Sequence, residues 1–241
     1  MATKSELEKG VSDFFDGNYE VTDGQVIPDL DDIRLGKFGR ELKMAMLFID
    51  IKESTTIVDG FRRVTGAKMY KSFLWGITKI ARNNDGQLLS FNGDGVLVGF
   101  VGDLKRTDAV KTGMQMKWYG HKILRPKINE YFENNSELED MKFDFGIGVD
   151  VGNILVVRGG IKGENNNDLV WVGNPTNFAV KLSKLASEPN NIYITQEVYD
   201  EMGATVKWQD NEKKKNMWTY RTWEEMDNLK VLSTTYHWSI D

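Results

Sequence analysis

The chain has 241 residues, 40% of them hydrophobic, with a formal net charge of -5 and no cysteine. That length carries one large domain with extensions, and the missing thiols exclude disulfides, thiolate zinc sites and a cysteine nucleophile. With only His121 and His237, a His-rich metal site or His-based triad is disfavoured. The acidic balance speaks against nucleic-acid binding by charge alone. No apolar run nears the roughly 20 residues that span a bilayer, and no signal-peptide pattern opens the chain, so a soluble cytoplasmic protein with no membrane contact is expected.

Residues 1–42 are polar and acidic, with Asp29, Asp31 and Asp32 close together. Phe14, Phe15 and Tyr19 can anchor a short helix, so this stretch reads as an arm packed on the domain or on a partner subunit. Residues 43–51, Lys-Met-Ala-Met-Leu-Phe-Ile-Asp-Ile, read as a buried strand with Asp50 near its end. Aspartate is depleted in strands and costly to bury unpaired. Asp50 either caps the segment that follows or holds a cation. Residues 54–83 carry apolar side chains at helical spacing: Ile57, Phe61, Val64, Tyr70, Phe73, Leu74, Ile77 and Ile80. Gly66 is the weak point, and Arg62, Arg63, Lys68 and Lys71 form a solvated face.

After a turn at Asn83-Asn84-Asp85-Gly86, residues 88–100 read as a β-hairpin with Gly93-Asp94-Gly95 at its tip. Glycines on both sides of Asp94 let the backbone bend tightly and approach a ligand. Asp94 is either a turn aspartate or a ligand for a hard cation. Asp50 and Asp94 together can share divalent ions. Residues 105–124 read as a second helix, ended or kinked by Pro126, with Ile128, Tyr131 and Phe132 on a short continuation. Met114, Met116 and Trp118 suit a core or an interface.

Residues 142–157 read as a second hairpin turning at Val151-Gly152-Asn153, and 169–172 as a short strand. Asn174 and Pro175 open a helix as cap and first-turn residue. Phe178, Leu182 and Leu185 form its apolar stripe. Asn177 and Lys181 are four apart and share one face, exposed or functional. Residues 192–194 read as a strand, 196–202 as a short helix, and 206–208 and 217–222 as the last strands. Lys213-Lys214-Lys215 is a solvated charge run or a phosphate contact. Residues 223–241 read as an irregular aromatic tail. The order predicts an α/β (α+β) sandwich with one mostly antiparallel sheet flanked by helices.

Four stretches in this order resemble the signatures of class III nucleotidyl cyclases: Phe48-Ile49-Asp50-Ile51-Lys52-Glu53-Ser54-Thr55, Phe91-Asn92-Gly93-Asp94-Gly95, Phe145-Gly146-Ile147-Gly148-Val149, and residues 172–182, Val-Gly-Asn-Pro-Thr-Asn-Phe-Ala-Val-Lys-Leu. The resemblance implies a ferredoxin-like catalytic domain over residues 43–222, with 1–42 as arm and 223–241 as tail. It implies a head-to-tail homodimer with composite active sites and two Mn²⁺ or Mg²⁺ ions in each. By position, Asp50, Asp94 and the carbonyl of Ile51 are the metal ligands. Glu53, Ser54 and Thr55 cradle the β- and γ-phosphates. Asn177 orients the ribose. Lys181 stands where the family usually has arginine, keeping the charge at the α-phosphate without the bidentate fork.

Purine-selective members carry lysine or glutamate four residues before the second metal aspartate, where this chain has Ser90. Adenine-selective members also carry aspartate or threonine where this chain has Val170. Edge hydrogen bonds carry most base discrimination, so a pyrimidine is expected. Met46, Phe48, Ser90, Asn92 and Val170 are the base-pocket candidates. The wording of residues 172–182 is similar to the pyrimidine cyclases of bacterial anti-phage Pycsar systems, whose cyclic UMP or cyclic CMP is read by a separate effector. The expected activity is conversion of UTP to 3′,5′-cyclic UMP and pyrophosphate. A cytidylate or adenylate cyclase and a catalytically silent nucleotide sensor are the alternatives. A diguanylate cyclase lacks support, because Asn92-Gly93-Asp94-Gly95 matches its signature only in part.

Overall fold

A ladder of two long strands runs through the middle of the structure, a computed structural model that describes residues 2–55, 63–133, 143–163, 165–210 and 215–240. Strand β2 (Phe38–Ile51) pairs antiparallel with β5 (Phe145–Gly160) from Gly39 opposite Val157 to Ile51 opposite Phe145. The hairpin β3 (Gln87–Asn92) and β4 (Gly95–Phe100) joins the other edge of β2. On the far side β7 (Ile192–Thr195) runs parallel to β5, followed by β9 (Leu229–Thr234) and β8 (Thr219–Trp223). Two short strands extend the ladder's ends: β1 (Glu20–Asp23) beside the start of β2, and β6 (Asn167–Val172) beside the end of β5. Six of the eight strand pairings are antiparallel, as the expected sandwich requires.

Side chains alternate across a strand, and β2 uses both faces. Leu47, Ile49 and Ile51 meet Ile147 and Val149 under two helices, α2 (Arg63–Asn83) and α3 (Lys105–Tyr119), which bring Phe73, Ile77, Val110 and Met114. Met44, Met46 and Phe48 point the other way and meet Leu97, Ile154, Trp171 and Ala179. Ala179 belongs to the helix Asn174–Leu185, numbered α5 below, which lies on β5. Its close approach needs glycine at 146 and 148: a Cβ at either position would collide with the backbone carbonyls of Ser183 or Ala179.

Several sequence expectations need correction. β2 begins at Phe38, not at residue 43, because pairing with β1 and β5 carries a polar segment that hydrophobicity alone does not mark. Residues 145–160 form one unbroken strand, not a hairpin turning at 151–153: Gly152 continues straight opposite Met44, and a Cβ there would meet Pro175 Cγ at 2.9 Å. The actual turn lies between β5 and β6. Residues 204–207 are a short helix, α7, where a strand was expected. The tail expected to be irregular contains β9, inserted between β7 and β8 with Val231 and Leu232 fully buried.

The expected helix 54–83 is α2 from Arg63, with Gly66 buried in its first turn and no break there. Ile57 and Phe61 lie outside the described residues. At Pro126 the chain does not end its helix. A π-turn over Gly120–Leu124 carries α3 into α4 (Arg125–Glu133), accommodating the amide that proline lacks. The arm forms α1 (Lys4–Phe15), started by a Thr3–Glu6 capping box and holding no buried residue. The helix α6 (Gln196–Glu201) follows β7 as expected. Among the described residues no helix is long and apolar enough to cross a membrane.

Candidate active site

The register of β2 against β4 places Ile49 opposite Val96, which sets Asp50 beside Gly95 and the hairpin tip. Gly93 has φ +66°, the left-handed region that favours glycine. Gly95 carries the second requirement, since a Cβ there would lie 2.5 Å from Phe48 Cζ and 3.0 Å from Asp50 Oδ1. The two glycines thus bring Asp94 over the end of β2. The Asp94 carboxyl thereby comes close enough to Asp50 to act on its titration.

Their electrostatics follow from that proximity. Burial first, then the Asp94 carboxyl, push the Asp50 carboxyl from 3.8 up to about 6, while Lys52 and the Ile51 N–H oppose the shift. Asp94 Oδ2 is buried and has no hydrogen-bond partner, an oxygen left over in a half-buried acidic pair. Two neighbouring carboxylates, one with a buried unpartnered oxygen, fit a hard divalent cation, which would replace the proton that Asp50 holds. Among the described residues no group of three or more His, Cys, Asp or Glu side chains could hold a metal. Main-chain oxygen, substrate phosphate and water would therefore complete the ligand set, as suits Mg²⁺.

The Ile51 side chain points into the opposite core, so only its backbone can face the site. Glu53 takes φ 51° and turns the chain out of β2; Ser54 and Thr55 begin a helical turn. Residues 56–62, the rest of that segment, lie outside the described residues. Tyr70 of α2 donates to the Ser54 carbonyl at 3.1 Å. Burial raises the Tyr70 hydroxyl pKa, its bond to Ser54 opposes the rise, and the Asp94 and Asp50 charges add to it. Sequence reading assigned Tyr70 only to the helix's apolar stripe. Lys52 was also passed over: its ammonium donates to Ser183 O and Lys184 O, both at 2.8 Å. The only available signal for it was its place next to the Asp50-Ile51 pair.

Asn177 and Lys181 lie on the solvent side of α5, both exposed. Among the described residues neither is bonded to Asp50 or Asp94; the Lys181 ammonium sits 3.6 Å from Met226 Sδ. One protomer therefore does not bring this pair onto the carboxylates. Of the base-pocket candidates, Met46, Phe48, Ser90 and Asn92 share the sheet face of Asp50 by register. Asn92 Nδ2 lies 3.4 Å from Ser90 Oγ. Met46 is fully buried and Phe48 is 5% exposed, so they form a floor, with Ser90 and Asn92 above it. Val170 pairs with Val157, whereas its neighbour Trp171 joins the core beneath α5. Val170 therefore faces the other side of the sheet, 45% exposed. Lys215 is exposed; Lys213 and Lys214 lie outside the described residues.

No protein-family model matches the chain. Individual proteins do. It is 32% identical to a uridylate cyclase from Xanthomonas perforans over 243 aligned positions that cover the whole of both chains. The chain belongs to the uridylate cyclase family. A second uridylate cyclase, from Burkholderia cepacia, is 29% identical, again over the full length of both chains. Among solved structures this uridylate cyclase family member is similar to the guanylyl cyclase Cya2 with a TM-score of 0.65, at 17% identity over 83% of this chain and 95% of that one. It is similar to the adenylyl cyclase CyaB from P. aeruginosa with a TM-score of 0.61, at 17% identity over 81% of this chain and 95% of that one. At such identities these structures establish the fold, that of class III cyclase catalytic domains. The ferredoxin-like sandwich expected from sequence is thereby confirmed.

Proposed function

We propose that the protein is a pyrimidine nucleotide cyclase that converts UTP to 3′,5′-cyclic UMP and pyrophosphate. The observation that carries this reading is the placement of Asp94, with a buried unpartnered oxygen, beside Asp50 at the hairpin tip. Full-length similarity to proteins named uridylate cyclase supports the choice of base.

In this reading Asp50, Asp94 and the Ile51 carbonyl would hold two Mg²⁺ or Mn²⁺ ions. When bound, such ions lower the pKa of the 3′-hydroxyl and neutralise charge on the triphosphate. Backbone N–H groups of Glu53, Ser54 and Thr55 hold the β- and γ-phosphates, and Tyr70 fixes that turn through Ser54. The 3′-oxygen forms a bond to the α-phosphorus as the bond to the β-phosphate oxygen breaks, and pyrophosphate leaves with the electron pair. Asn177 and Lys181 of a second protomer orient the ribose and stabilise charge on the α-phosphoryl group. Positioning and charge stabilisation supply most of the acceleration. Ser90 and Asn92 supply polar groups to the uracil edge over the Met46–Phe48 floor. Val170, on the other face of the sheet, takes no part in that pocket.

The same reading makes the protein a cytoplasmic homodimer. Its cyclic product is a signal for a separate effector in anti-phage defence, as its resemblance to the Pycsar cyclases implies. The test is incubation of the purified protein with Mn²⁺ and each of ATP, GTP, CTP and UTP, with products resolved by chromatography and mass. Cyclic UMP from UTP alone is the expected outcome. Cyclic CMP or cyclic AMP as the main product would replace the substrate, and no turnover with any nucleotide would replace the enzyme with a sensor.

A further inference from the structure

Lys52 lies two residues beyond Asp50, at the point where β2 ends. Its backbone N–H donates to the Asp144 carbonyl at 2.9 Å, so the base of the side chain is held against β5. Its ammonium reaches across β5 and donates to Ser183 O and Lys184 O, each at 2.8 Å. Those carbonyls belong to the last turn of α5, the helix end that favours a cation; Ser183 O also accepts the Ala186 N–H at 3.2 Å. Gly146 leaves the path open: a Cβ there would lie 2.9 Å from Lys52 Cε. A single side chain thus fastens the strand that ends in Asp50 to the helix that carries Asn177 and Lys181.

We propose that Lys52 is a positioning residue that sets α5 against the end of β2, so that each protomer's two half-sites move as one unit. The inference rests on the composite-site reading above. In that reading Asp50 serves one active site of the dimer while Asn177 and Lys181 of the same protomer serve the other. Lys52 thereby ties the geometry of one active site to that of its twin. Neither half-site holds Lys52 in contact with the reacting atoms; it acts through the placement of α5.

The experiment uses heterodimers with one intact site. An Asp50→Ala protomer supplies Asn177 and Lys181; a Lys181→Ala protomer supplies Asp50 and Asp94. Lys52→Met is then placed in one protomer or the other. In the Asp50→Ala protomer, which supplies only the helix, it should lower kcat roughly ten- to hundredfold, the penalty of a displaced catalytic group, with the KM for UTP little changed. Lys52→Arg in the same place keeps the donors and should recover most of the rate. Hydrogen–deuterium exchange of the Lys52→Met protein should be faster across residues 177–185 and unchanged in the β3–β4 hairpin. An unaltered kcat with Lys52→Met in the helix-supplying protomer overturns the proposal. Equal loss in the Met and Arg variants at an unchanged thermal midpoint overturns it too. No activity in the heterodimer with Lys52 intact would instead refute the shared site, and this link with it.

Discussion

Two regions of the molecule carry the chemistry proposed for it, and they are built differently. The hairpin tip and the end of β2 are half-buried and pressed together, with glycine at 93 and 95 so that Asp94 lies close to Asp50, whose pKa is raised. The outer face of α5 is open: Asn177 and Lys181 project into solvent, while the inner face of that helix is locked onto glycines 146 and 148. Proximity that raises electrostatic cost is maintained in the first region, as the proposed cation site requires. The second is rigidly placed and awaits something that one protomer does not supply. On the proposed reading the contrast is that of two halves of different active sites, both carried by one chain.

The largest effect should come from the carboxylates. Asp50→Ala or Asp94→Ala should lower kcat by about 10³-fold or more, the scale of losing a metal's charge stabilisation, and abolish Mn²⁺ binding measured by electron paramagnetic resonance. Retained Mn²⁺ binding in both variants would separate the pair from the metal. Lys181→Ala should lower kcat by about 10²- to 10³-fold, as removal of one charge-stabilising donor does, and leave Mn²⁺ binding intact. Equal loss of Mn²⁺ binding would merge the two regions into one.

Gly95→Ala tests the packing of the first region. Its Cβ would crowd Phe48 and Asp50 Oδ1, so it should lower stability by about 1–3 kcal/mol in denaturant unfolding, together with activity. A stable, active Gly95→Ala protein would mean that the tip has room to spare. Tyr70→Phe removes one hydrogen bond to Ser54 and should cost roughly tenfold or less in kcat/KM, visible in steady-state kinetics.

The smallest and most diagnostic effect is on pH. The Asp50 pKa is raised from 3.8 to about 6, so the metal-free folded state holds that proton more tightly than the unfolded chain does. Its contribution to stability is then full below about pH 4 and lost as pH rises through about 6. Cation binding requires the opposite state, so the rise in thermal midpoint caused by Mn²⁺ should grow between pH 5 and 7. Asp50→Asn should flatten that dependence; an unchanged pH profile would dissociate Asp50 from the cation.

The sequence made both regions visible to different degrees. The unbroken apolar run in 43–51 ending at Asp50 and the Gly-Asp-Gly tip marked the carboxylate pair, because a buried apolar run and turn glycines are local signals. The Asn174-Pro175 start and the four-residue spacing of Asn177 and Lys181 marked the face of α5 for the same reason. What stayed hidden depends on distant contacts. Nothing local shows that Gly152 runs straight on because Pro175 packs against it, or that Val231 and Leu232 enter the sheet between two earlier strands. The bond from Tyr70 to Ser54 and the reach of Lys52 to Ser183 span 16 and 131 positions of chain. The face of Val170 follows from its pairing with Val157, which a misplaced turn had concealed.

The comparison between the two regions is tested most directly by mixing inactive Asp50→Ala and Lys181→Ala proteins and measuring cyclic UMP formation. Random reassembly makes half the dimers mixed, each with one intact site of two, so about a quarter of the wild-type rate should return. If mixed dimers form, as native mass spectrometry can verify, and no activity returns, the two regions do not complete each other across protomers and the account is wrong.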